Sequence, residues 1–385
     1  MYLYDYVLSD ENIYLAIYAV KSYVFEPQLL DIEDRELLYR LADPFDEVTI
    51  LDVIDKVKFK IKNVLKNKDY FFKTEVYFKP KDYDRGSKQF KYRPIHTAKL
   101  EDLIAMVALL HPLIYEIPSK DNGWKLNLSN YSRLIPNNFY GNRVSKKPEE
   151  LFKKWSEQYK KYTQKANEYF KTFHESKEYK YEVKLDLKNF FPSVNPIKLY
   201  YILKENFPVT LVDEDEATLK KIIYKLTVCQ VTNLNDDKSR EVYYENLGED
   251  NKLCNYTVGI PQGLPQSYFL GNICMIKVAE IFEKYYECKA VYYVDDSYIY
   301  TNKEIKDDNF ENQICQVNDI IEAEFDKYGN DRKDISKYWD EKCVDYIDKT
   351  KYKIMVHSSG KSTYTEIQKT KDGEGRGFVR KSSPS

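Results

Sequence analysis

Residues 291–300 read VYYVDDSYIY. Val291, Tyr292, Tyr293 and Val294 on one side, and Tyr298, Ile299 and Tyr300 on the other, are β-branched or aromatic residues that suit strands. Two such runs about a tight turn predict a β-hairpin, with Asp295 and Asp296 at its tip. Asp is common in turns because its side chain bonds nearby backbone groups, so the pair alone could be an ordinary turn. Adjacent carboxylates nevertheless repel unless a positive charge neutralises them. Mg²⁺ does so through hard oxygen ligands, and that reading requires a third carboxylate elsewhere in the chain.

One candidate ends a second strand. In KYEVKLDL (180–187) apolar and charged residues alternate at the strand period, and Asp186 closes the run before LKNFFPSV. A carboxylate at a strand end, facing a hairpin tip with two more, could hold a pair of divalent cations. Such pairs stabilise the attacking and leaving oxygens of a phosphoryl displacement, where catalysis is mostly positioning and charge neutralisation.

Composition is compatible with this chemistry. The 385 residues are 43 % hydrophobic and 32 % charged, with a net charge of −2. A sizeable core is possible, with more than one domain or one subdivided domain. The charge is uneven: from Lys56 to Arg93 there are 11 Lys and 2 Arg against 4 acids, a patch able to steer a polyanion. The six Cys are scattered without a CxxC pair and there are four His, which argues against a zinc site and for a reduced, cytoplasmic protein. The N-terminus lacks a signal-peptide pattern. The longest apolar stretch, LIAMVALLHPLIY (103–115), is too short to span a bilayer, so no membrane partner is expected.

Along the chain, residues 1–70 read as helices, and 71–96 as two strands joined by the loop KPKDYDRGSKQ, which carries most of the basic patch. Residues 99–118 read as a buried helix and 147–178 as a long charged one. Segment 230–256 reads as an irregular acidic insertion. The Gly/Pro-punctuated VGIPQGLPQS (258–267) leads into an apolar helix. YKIMVH (352–357) reads as a strand, and residues 366–385 as a mobile tail.

The series LDLKNFFPSV, GIPQGLPQSYFLGN and YYVDD resembles motifs A, B and C of reverse transcriptases, in that order. FKPK followed by KYRPIH resembles their fingers strands, FYGNR their pre-palm element, and IMVHSSGKST their motif D. The resemblance covers roughly residues 70–365. It implies an α+β right-hand polymerase fold: an N-terminal helical region (1–70), fingers (71–180) and a palm (181–365) whose antiparallel sheet is backed by helices. Only 24 residues follow Lys361, so a short or absent thumb is expected, either in a naturally thumbless chain or with a partner protein supplying the clamp.

By the same resemblance, Asp186, Asp295 and Asp296 would hold two Mg²⁺ ions, or Mn²⁺, with the Leu187 carbonyl as a further ligand. Phe191 would be the steric gate favouring dNTPs. Gln262 and Gly263 would line the incoming nucleotide. Arg93, with Lys81 and Lys91, would bind its triphosphate, and Lys361 would act on the leaving pyrophosphate. Lys79, Arg143 and Tyr293 would touch nucleic acid. His96, His111, His174 and His357 match no catalytic position. The wording of the middle motif resembles bacterial abortive-infection and "unknown group" defence-associated enzymes. That implies antiviral activity, an RNA template or noncoding RNA partner, or else protein-primed or template-poor synthesis, with a DNA product and homo-oligomers. A retron-type or mobile-element enzyme copying a dedicated RNA, or a catalytically quiet RNA-binding scaffold, are the alternatives.

Overall fold

Apolar residues of EVTILDVIDKVKFKIKNVLK recur three and four apart, which places Ile50, Val53, Ile54, Val57, Ile61 and Val64 on one buried stripe of a helix. The computed structural model describes residues 2–23, 30–86, 88–115, 135–147, 150–176, 179–187, 189–205, 211–244, 256–257, 259–305, 310–327, 353–358 and 361–365. Among the described residues its N-terminal part forms four helices: α1 (Leu3–Val7), α2 (Asp10–Tyr23), α3 (Ile32–Ala42) and α4 (Glu47–Lys66). Asp31 and Asp46 cap α3 and α4 by accepting from the backbone N–H of Asp34 (2.8 Å) and Thr49 (3.1 Å).

Helix α5 (Leu100–Ile114) is buried along nearly its whole length and packs on α2 and α4. It holds Pro112, which has no N–H to give the Ala108 carbonyl one turn back. Asn12 of α2 fills that place, its Nδ2 donating to the Ala108 carbonyl at 3.0 Å, while its Oδ1 accepts from His111 Nδ1 at 2.8 Å. A buried asparagine thus lets a proline sit in a core helix.

Two sheets follow. In the first, β1 (Lys73–Asp84) pairs antiparallel with β2 (Gln89–Thr97) and, at its start, parallel with the two-residue β4 (Gln230–Val231). The strands run further than the sequence reading placed them. KPKDYDRGSKQ is turn-rich in composition, yet β1 continues to Asp84 through a bulge between Pro80 and Asp82. The bulge accommodates the proline, and the cross-strand pairs Asp82–Lys91 and Tyr83–Phe90 carry the ladder on.

The second sheet has the order β5-β6-β3-β7-β8, antiparallel throughout: β3 (Tyr181–Leu185), β5 (Lys289–Tyr293), β6 (Asp296–Thr301), β7 (Lys353–Ser358) and β8 (Lys361–Thr365). Ala290, Tyr292 and Ile299 point into the main core with helix α11 (Pro265–Tyr286). Val291, Tyr293, Tyr298 and Tyr300 point to the opposite face, beneath helix α6 (Trp155–Ser176). Period-2 alternation, buried on both faces, fixes the register.

Short helices α7 (Phe190–Ser193), α8 (Pro196–Lys204) and α9 (Asp213–Thr227) connect the sheets, and α12 (Phe310–Asp326) packs on α11. Segment 230–256 is not simply irregular: beyond β4 it forms α10 (Asp237–Tyr244), whose Tyr243 packs with Val76, Val231 and Leu234. Residues 245–255, and the tail 366–385, lie outside the described residues. One contiguous core runs from Leu3 through α4, α5, α9 and α11 to Phe325. Lys225 stitches this core: buried, it donates from Nζ to the carbonyls of Asn67, Lys68 and Tyr70 at 2.7–3.2 Å and lies 3.8 Å from the Phe71 ring centroid.

Candidate active site

The site begins with a strand register. β3 and β6 pair Leu185 with Ser297, and Ser297 Oγ donates to the Leu185 carbonyl at 3.2 Å. Asp186 and Asp296 are the next residues beyond that pair on their two strands, and both act electrostatically on Asp295. β5 and β6 are joined by two residues, Val294 and Asp295, between the paired Tyr293 and Asp296. Val294 sits at φ 57°, a left-handed conformation costly for a β-branched residue. A two-residue hairpin needs such a φ, so the tip is strained and must be held from outside.

The holding piece is FYGNR. Tyr292 donates its N–H to the Asn138 carbonyl (2.9 Å) and accepts from Tyr140 N–H (3.0 Å), making a parallel bridge along β5. Gly141 lies against the tip, where an added Cβ would meet Val294 N at 2.7 Å and Val294 Cγ2 at 2.8 Å; only glycine allows this approach. Asn272, buried in α11, donates from Nδ2 to the carbonyls of Gly141 (2.9 Å) and Asn142 (3.0 Å). An asparagine inside an apolar helix is a readable signal of such a partner.

The electrostatics of the tip are those of crowded anions. Burial first, then Asp186 and Asp296, push the Asp295 carboxyl up to about 7, with Arg93 among the groups pulling it back. Asp296 turns partly aside, 3.4 Å from Lys184 Nζ on β3. Burial opposes the charge of Lys184, but Asp296 leads the groups that outweigh burial and hold its ammonium above the usual range. Among the described residues, no three His, Cys, Asp or Glu side chains close around a single point as a metal cage would. Asp186 and Asp296 both act electrostatically on Asp295, and Asp186 acts on Lys184 as well.

The second wall is the loop after Gly259. His96 of β2 donates its N–H to the Gln262 carbonyl at 2.7 Å and contacts the same carbonyl through Nδ1 at 3.0 Å. Its Nε2 lies 2.8 Å from the Tyr243 hydroxyl. Gly263 has φ 108°, and a Cβ there would meet the His96 carbonyl oxygen at 2.5 Å. Tyr23 of α2 donates to the Gly263 carbonyl at 2.5 Å. Thus β2, α2 and α10 all lock one short loop. Sequence reasoning gave His96 no catalytic position; in the structure it is the loop's main anchor.

A family model described as reverse transcriptase (RNA-dependent DNA polymerase) matches residues 87–330, more than half of the chain. The chain belongs to the reverse transcriptase family. Comparison with curated proteins finds no match. A reverse transcriptase is an RNA-directed DNA polymerase, a nucleotidyltransferase, and the family implies a polymerase fold of palm and fingers, with which mixed helices and two small sheets are consistent. It also implies binding of nucleic acid and dNTPs and general use of divalent metals such as Mg²⁺. Among the described residues, no helix of this reverse transcriptase is long and apolar enough to cross a membrane.

The remaining candidate residues divide. Arg93 is exposed on β2, directly across from Lys79 on β1, and Lys91 pairs with Asp82; Lys81 lies at the bulge. Arg93 acts electrostatically on Asp295, so this face of the hairpin belongs to the site. Phe191 is buried, with ring centroids 5.3 Å from Phe190 and 5.9 Å from Tyr268, and its carbonyl accepts from Ile260 N–H at 2.9 Å. Leu187 is buried beside Asp186.

Two residues expected at nucleic acid make contacts within the protein. The Arg143 guanidinium donates to the carbonyls of Ile135 (3.2 Å), Pro136 (2.8 Å) and Phe139 (2.7 Å), shaping the loop that carries FYGNR; burial lowers its pKa. A cation near three carbonyls of one loop is a structural clamp, which composition could not distinguish from a surface charge. Tyr293 packs its ring 5.2 Å from Tyr159 and 5.4 Å from Tyr162 of α6. Lys361 opens β8, across from Ser358; its side chain lies outside the described residues.

Proposed function

We propose that this reverse transcriptase extends DNA from dNTPs at the end of its five-stranded sheet, which serves as the palm, with the β1–β2 hairpin as fingers. The observation that carries the reading is the register that sets Asp186 beside the Asp295–Asp296 tip, with Asp295 raised to about 7 by burial and its two carboxylate neighbours. An all-oxygen, strongly anionic donor set fits a hard divalent cation such as Mg²⁺ or Mn²⁺. Asp186 and Asp295, with the Leu187 carbonyl, would hold a pair of such ions, and Asp296, paired with Lys184, would orient the tip. Bound there, the cations would supply the positive charge that stabilises both oxygens of a phosphoryl displacement.

The chain's own residues do the positioning. Arg93, with Lys91 and Lys81, offers charge-assisted donors to a triphosphate from the face turned to Asp295. Gln262 and Gly263, anchored through His96 and Tyr23, form a rigid floor for the nucleotide. Phe191 stands five residues after Asp186, where an aromatic ring excludes a ribose 2′-hydroxyl and favours dNTPs. Lys361 would meet the leaving pyrophosphate. A role in bacterial antiviral defence, with a noncoding RNA partner, is supported by the wording GIPQGLPQSYFLGN.

The test is incorporation of labelled dNTPs with Mg²⁺ or Mn²⁺ on a primed RNA template, comparing wild type with Asp295→Asn/Asp296→Asn. Loss of about 10³-fold or more in the variant is expected from removing the charge-stabilising groups. Equal synthesis by both proteins would remove these aspartates from the mechanism. In cells, protection against phage should vanish with the same substitutions; protection that persists would make the chain a scaffold.

A further inference from the structure

The β1–β2 hairpin has two unlike faces. On one, Lys79 stands opposite Arg93 and Lys91 follows two residues away; this is the face whose charge reaches Asp295. On the other, Tyr83 pairs with Phe90 at a ring-centroid distance of 5.0 Å. Phe90 continues to Tyr92 at 6.5 Å, and Tyr92 to Phe78 at 6.4 Å. The ladder grows out of the small core where Val76 and Phe78 pack on Val231, Leu234 and Tyr243. It then leaves the protein: Tyr83 is 50 % exposed, Phe90 54 % and Tyr92 42 %.

Four aromatic rings in a row, three of them about half exposed, are not needed to fold a hairpin. Lys79, Lys91 and Arg93 stand on the other face, but Lys81 is the bulge residue between Pro80 and Asp82, and Arg85 and Lys88 lie in the turn between Tyr83 and Phe90, so cations border the exposed end of the ladder. Aromatic faces interleaved with cations are the chemistry that holds single-stranded nucleic acid: bases stack on the rings and the phosphates meet the charges. A duplex keeps its bases stacked internally and offers such a ladder nothing. A protein partner would meet a net positive rim rather than the charge-depleted centre of a protein interface.

We propose that the outer face of this hairpin, Phe78–Tyr92–Phe90–Tyr83, is a stacking platform for single-stranded nucleic acid, on the side of the fingers turned away from the aspartates. One hairpin then does two jobs, with cations toward the active site and rings toward an unpaired strand. The platform uses neither the aspartates nor a bound nucleotide.

The test is fluorescence anisotropy of the full chain with a labelled mixed-sequence RNA of about 16 nucleotides, against the same RNA annealed to its complement. Phe90→Leu and Tyr83→Leu keep apolar bulk but lose the π face. Each should weaken single-strand binding by about 5-fold or more, within the roughly 5- to 150-fold range of a lost stacking contact. Tyr83→Phe should bind as wild type, duplex affinity should not change, and KM for dNTP on a short primed template should stay put. Undiminished single-strand binding in both Leu variants, with circular dichroism as in wild type, overturns the proposal. So does an equal loss for single strand and duplex. A fall in self-association by light scattering, without a fall in RNA binding, would reassign the face to a second copy of the chain. Because binding is read without dNTPs, a failure here is distinguishable from a failure of the aspartate assignment.

Discussion

The two hairpins of this protein carry opposite charges and are built on opposite principles. The β5–β6 hairpin presents anions and is clamped: core on one face, α6 on the other, and the 138–142 strap across its strained turn. The β1–β2 hairpin presents cations and its outer half is open, with Lys79, Arg93, Phe90 and Tyr92 all exposed. On the proposed function, the contrast follows from what each would hold. Carboxylates that bind small hard cations must be fixed to within a fraction of an ångström, and crowding them costs free energy that only surrounding packing can offset. Cations that meet a flexible polyanion act over a longer range and gain from reach. Lys79 and Arg93, directly opposed like charges, even cost the free hairpin a little stability.

The largest effect expected from breaking this contrast is at Gly141. In Gly141→Ala the new methyl collides with the backbone N of Val294, and a backbone atom cannot swing aside. The tip should shift, lowering kcat by about 10²-fold, as misplacements near 1 Å do. Stability should drop by about 1–3 kcal/mol from overpacking, while KM for dNTP changes little. Wild-type kcat in this variant would mean that the strap does not set the tip.

Arg93→Ala should do the reverse on the open hairpin. Losing a charge-assisted contact of about 1.5–3 kcal/mol should raise KM for dNTP by roughly 10- to 100-fold. The melting temperature should hold or rise slightly, because the repulsion with Lys79 is relieved. Arg93→Lys should recover part of the affinity, lacking only the bidentate fork. A stability loss comparable to that of Gly141→Ala would show that the hairpin, too, depends on internal packing.

The clamped region was the more legible of the two in the sequence. Alternation in KYEVKLDL and the β-branched and aromatic runs of VYYVDDSYIY predicted three strands, and the strand end and hairpin tip predicted which carboxylates come near one another. The open hairpin was partly hidden: Pro80, Asp82, Asp84 and Gly86 look like loop, while the pairs that extend β1 are long-range and invisible along the chain. Helix α10 was hidden by its charge, since its stability comes from Tyr243 beneath His96 rather than from an apolar stripe. The Arg143 bonds to three carbonyls were hidden for a related reason: they depend on a loop closure that local sequence does not encode.

His96 ties the open hairpin to the Gln262 loop, and its titration gives the smallest but sharpest effect. Neutral, it donates through Nδ1 to the Gln262 carbonyl and accepts through Nε2 from Tyr243. Burial lowers its pKa from 6.5 to about 4. Between those values the unfolded chain binds the proton and the folded one does not, so His96 adds stability as pH rises through the window and withdraws it as pH falls. The slope from one such group is at most about 1.4 kcal/mol per pH unit. His111, lowered to about 3, acts in the same direction, and Asp295, raised to about 7, in the opposite one. The clean quantity is therefore a difference: urea unfolding of wild type and His96→Gln, compared between pH 5 and 6.5. The wild type should lose stability more steeply on acidification, by about 1 kcal/mol per pH unit relative to the variant. Parallel slopes would mean that His96 is not the buried, neutral anchor of the Gln262 loop, and the hold on that loop would have to be sought at Tyr23 and Gly263 instead.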